Sequence, residues 1–160
     1  MDKTDSKAML RRYENDLYVS GVGILIMGGW TVLKLVMELF LKSKDYFQPK
    51  TAEEMAVVAV ILAVTLVMVL LIVRIHFYIG MNAIRAAKGR AYKKSYFKWA
   101  VIMLILTLSG LLVYADILKD PNNIDTNLAS MLVDLTTIYI FLIVIISTKR
   151  IKNLKTKMQE

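Results

Sequence analysis

From Met55 to Val73 the chain runs for 19 residues without a charge, and Thr65 carries the only side-chain hydroxyl among them. Coiled as an α-helix, that stretch rises about 28 Å, close to the roughly 30 Å hydrocarbon core of a bilayer. It is apolar around its whole circumference and has no polar face to turn toward water, which argues against a soluble bundle. Three further stretches follow the same logic. Residues 17–41 are interrupted by Lys34 and Glu38; Trp99 to Ala115 is uncharged within a span of about 97–117; and 126–148 is interrupted only by Asp134. With the second span placed at about 55–76, the 160 residues read as one all-α integral membrane domain, a four-transmembrane-helix bundle. The hydrophobic share of 57% exceeds the roughly 45–50% of soluble domains and agrees with that class.

The first apolar stretch is too long for a secretory signal and lacks a small-residue cleavage pattern, so it is expected to stay as an anchor. Basic residues set the orientation. Sixteen of the 21 Lys and Arg residues fall in the arm 1–16, the second connection from Arg74 to Lys98, and the tail 149–160. Short connections rich in Lys and Arg remain on the cytoplasmic side. Both termini are therefore expected in the cytoplasm, in a multi-pass protein of the cell membrane, with a prokaryotic plasma membrane the favoured setting. The net charge of +8 lies next to spans and accompanies no recognition motif, so the expected partner is a bilayer with anionic head groups rather than nucleic acid. Arg74, His76, Arg85, Lys149 and Arg150 are the candidate head-group contacts.

Along the chain, Asp5 and Ser6 are candidate caps for an arm that runs along the cytoplasmic surface into the first span, with Leu10, Tyr13 and Leu17 at helical spacing. Gly21 and Gly28 permit close helix approach in a membrane. The second helix does not stop at Val73: "RIHFYIGMNAIRAAKG" keeps helix formers to Lys88 and offers Gly89 as a terminator, so this helix is expected to extend into the cytoplasm. Gly80, Ala83 and Ala87 recur there at steps of three and four, a stripe suited to helix docking. Ser95 is a candidate cap for the third helix, Asp125 or Thr126 for the fourth, and Glu53 with Glu54 favour the start of the second.

Two spans carry charge. Asp134 lies on one face of the fourth helix with Asn127, Ser130 and Thr137, at steps of four, three and four. An ionised carboxylate facing lipid there costs several kcal/mol, so it is expected to point inward, pair, or bind a proton. Lys34 sits at a similar depth on the first helix and is the expected partner, with Glu38 an alternative partner for Lys34 one turn on. The six residues read either as a structural seam or as a polar path for a proton, cation or small solute.

Zero cysteines exclude thiol chemistry, the single His76 cannot build a histidine-rich metal or haem site, and no phosphate loop, metalloprotease helix or nucleophile elbow is present. No catalytic residue, metal or cofactor is expected. The function that follows is a small non-enzymatic membrane protein, an accessory or interaction subunit that packs with itself or with a larger membrane protein. The alternative is a minimal oligomeric transporter or channel using the Asp134, Lys34 and Glu38 face.

Overall fold

A computed structural model describes residues 3–46, 51–117 and 124–158; within these, the side chains at 3, 4, 34, 35, 38–46, 113–117, 124–127 and 129 lie outside the described set. Four helices account for the regular structure: α1 (Lys3–Tyr46), α2 (Ala52–Ala87), α3 (Tyr96–Ile117) and α4 (Ile124–Lys157). α1, α2 and α4 are each long and apolar enough to cross a membrane, and α3 is apolar over Tyr96–Leu112. At 44, 36 and 34 residues, α1, α2 and α4 are about 66, 54 and 51 Å long, well beyond one hydrocarbon thickness.

Local chemistry explains the helix ends. Thr51 accepts a hydrogen bond from the Glu54 N–H (3.2 Å), while the Glu54 carboxylate accepts one from the Thr51 N–H (3.3 Å). This reciprocal pair satisfies two of the orphan donors at the start of α2. At the other end Gly89 adopts φ +65°, and the N–H groups of Gly89 and Arg90 bond to the carbonyls of Ala86 and Arg85. The chain thus stops α2 with the glycine-dependent double bond that terminates many helices.

Two expectations change. The arm does not lie along a surface: α1 is one unbroken helix from Lys3, which puts Asp5 in its first turn rather than at a cap. Leu10, Tyr13 and Leu17 pack into the core, and that packing holds the arm in line with the bundle. The basic tail is likewise helical as far as Lys157, with Ile151 and Leu154 buried.

Neighbouring helices pack around a ring, α1 between α2 and α4, and α3 between α4 and α2. Contacts run antiparallel: Gly21 meets Gly80 and Gly28 meets His76 between α1 and α2, and Tyr96 bonds Thr148 between α3 and α4. Lys155 Nζ lies 3.0 Å from Glu14 Oε1, so the arm and the tail share one end of the bundle. The core gathers at that end, in Leu17, Ile24, Ile79, Ala83, Tyr96, Ala100, Phe141 and Val144.

Candidate functional site

Glycine makes the tightest helix contact possible. A Cβ on Gly80 would sit 2.8 Å from the Gly21 carbonyl oxygen, and one on Gly28 would sit 2.9 Å from the His76 Cβ. Ala83 is fully buried beside them and Ala87 packs on the same core. All five residues read as helix contacts are thus engaged within one chain. They do not form a free face for a partner.

His76, read from its position as a head-group contact, is buried inside the bundle. It is 4% exposed, donates through Nδ1 to the Ile72 carbonyl (2.9 Å), and sets its ring 5.8 Å from that of Phe141. The donor role follows because a carbonyl can only accept. Its phase explains the difference: His76 stands four residues before Gly80 on the stripe that continues through Ala83 and Ala87. Position along the chain suggested a boundary residue, whereas helical phase turns it to the inside.

On α4, Ser130, Asp134 and Thr137 are each half-buried. Thr137 donates its hydroxyl to the Val133 carbonyl (2.9 Å), and Asp134 is engaged rather than free. The side chains of Lys34, Glu38 and Asn127 lie outside the described residues. Gly23 against Ile140 and Glu14 against Lys155 set the α1–α4 register. Carried forward from Gly23 and Ile140, that register brings the α1 backbone near Gly29 level with Asp134. Toward the end that holds the termini, Ile24, Ile79, Met103, Phe141 and Val144 belong to the apolar core.

The end with the termini carries the polar connections. The Asn82 side chain donates to the Tyr78 carbonyl (2.7 Å) and accepts from the Lys93 backbone N–H (2.9 Å). The connection after Gly89 therefore folds back along α2, and Tyr78 and Ser95 join hydroxyls across it. Ser95 precedes α3 as expected, with its side chain turned to Tyr78. α3 begins beside Tyr78 and Asn82, so α2 overshoots it by several residues. Thr148 donates to the Val144 carbonyl (2.6 Å) and accepts from the Tyr96 hydroxyl (2.8 Å). A groove of about 530 Å³ opens between α2 and the returning chain, lined by Arg74, Phe77, Asn82, Arg85, Tyr92 and Lys93 among others. Lys149 stands 5.9 Å from the Phe97 ring centroid, within reach of a cation–π contact. Arg150 borders a second groove with Met9, Tyr13 and Lys157.

The far part of α2 contrasts with all of this. No residue from Thr51 to Ile75 is buried; even the side chains phased toward α1, Val58, Leu62, Thr65 and Val69, are only half-covered. Ala56, Ala59 and Ala63 form an exposed small-residue face there, at steps of three and four. That spacing is visible in the sequence but is masked by uniformly high hydropathy. Asn82 left no comparable trace, because its loop contact exists only once the chain turns at Gly89. Among the described residues, no three His, Asp or Glu side chains group as metal ligands. No protein-family model, curated protein or solved structure matches this chain.

Proposed function

We propose that this chain is a four-span protein of the cell membrane, with both termini and the projecting end of α2 in the cytoplasm, and that it serves as a non-enzymatic accessory or interaction subunit. The observation that carries this reading is the far half of α2, apolar and unburied from Met55 to Leu71 and bearing the alanine face of Ala56, Ala59 and Ala63. In lipid, helices associate through close packing rather than hydrophobic burial, and small residues permit that packing. Gly21, Gly28 and Gly80 are already occupied within the chain, whereas the alanine face of α2 is open. The sixteen basic residues gathered at the end that holds the termini support the orientation.

Photocrosslinking groups placed at Val60 and Val64 in intact membranes test the assignment. A crosslink to a second copy or to another membrane protein is expected, and Ala59→Trp should abolish it. Adducts to lipid alone would overturn the interaction role. The transport reading finds support in the half-buried Ser130, Asp134 and Thr137, while the core toward the termini, Ile24 and Phe141 included, is apolar and speaks for the first reading. Vesicle flux that is lost in Asp134→Asn would favour transport.

A further inference from the structure

The groove between α2 and the returning connection holds three cations, Arg74, Arg85 and Lys93, with the aromatic rings of Phe77, Tyr78 and Tyr92 between them. Among the described residues, none of the three cationic side chains has an ion-pair partner. Arg74 is the first charge after the 19 apolar residues of α2, while Lys93 is fixed beside Asn82, about 12 Å further along the helix axis. Phe77 is 60% exposed and lies one turn beyond Arg74, away from the apolar run. The groove therefore presents Arg74 at its membrane end, Arg85 and Lys93 further out, aromatic surface between them, and a hydrogen bond from the Lys93 N–H to Asn82 that ties its two walls together.

We infer that this groove is a binding site for an anionic phospholipid. Arg74 holds the phosphate diester through its planar fork, Arg85 and Lys93 face the outward part of the head group, and the exposed Leu70 and Leu71, one turn before Arg74, meet the start of the acyl chains. The residue types divide the work in the order of depth that a phospholipid requires. Apolar surface follows directly beneath Arg74, where a free oxyanion would gain nothing. The inference rests on the membrane placement proposed above.

The test uses the full chain reconstituted in lipid nanodiscs of phosphatidylcholine, titrated with a spin-labelled phosphatidylglycerol and read as preferential contact with the protein. The triple variant Arg74→Gln, Arg85→Gln, Lys93→Gln is expected to lower the preference at least tenfold, since it removes the charge-assisted contacts to the phosphate. A charge-matched control, Arg90→Gln, Lys94→Gln, Lys98→Gln, removes as many charges outside the groove and is expected to change it less than threefold. Equal losses in the two triples would overturn the site in favour of diffuse attraction. Competition by millimolar inorganic phosphate would overturn the lipid assignment in favour of a soluble oxyanion. Melting curves in detergent keep folding defects separate from lost binding. A chain that never enters the bilayer would overturn the membrane placement itself, and is recognised by flotation before any lipid is titrated.

Discussion

The two halves of this molecule are built on different terms. The end holding the termini is a packed bundle: Phe141, Ile79, Ala83, Ala100 and Val144 are buried, glycines bring α1 and α2 into backbone contact, and Asn82, Tyr96 and Glu14 tie elements together. The far half of α2 has equal or greater apolarity and no buried residue at all. Hydrophobicity is therefore not what separates a core from a surface in this chain. Small residues and polar ties mark where the helices close.

Substitutions can sharpen or break that contrast. The largest effect is expected from Phe141→Ala, which leaves a cavity at a fully buried site. It should destabilise the detergent-solubilised protein by about 3–5 kcal/mol in reversible unfolding, whereas Leu66→Ala, at 58% exposed, should fall below about 0.5 kcal/mol. Similar values for the two would mean that the far half is as well packed as the near one. Next comes Gly80→Ala, whose new methyl would press on the Gly21 carbonyl; a loss of about 1–3 kcal/mol is expected. Gly29→Ala and Gly110→Ala have nothing within 4 Å and should instead gain up to about 1 kcal/mol from helix propensity. Asn82→Leu leaves the Lys93 N–H without its acceptor, so about 1–2 kcal/mol should be lost, and amide exchange at Lys93 should accelerate. Smallest is Glu14→Gln, which breaks a partly exposed pair and should cost no more than about 1 kcal/mol, and less at high salt.

Much of this architecture is legible in the sequence, and the reasons differ by feature. The second span is written in 19 uncharged residues, and Gly89 announces its own left-handed turn because few other residues adopt that conformation without strain. The stripes of Gly21 with Gly28 and of Gly80 with Ala83 mark helix contacts correctly, since spacing fixes a face. Spacing does not name what the face meets, and the occupant is another helix of the same chain. His76 shows the reverse error, in which linear position outweighed a phase that the same stripe already displayed. The helical continuation of the tail is hidden by charges that resemble a solvated segment, and the packing of arm and tail shows in the half-buried Leu10 and the buried Leu17, Ile151 and Leu154.

The ion pair between Glu14 and Lys155 bears on how this protein can be assayed. Because the first and last helices stand side by side, reporter fragments fused to the two ends of one chain will meet without any second copy. Complementation between such fragments measures the closed chain. Evidence of self-association must come from fragments carried on separate molecules, each tagged at the same end.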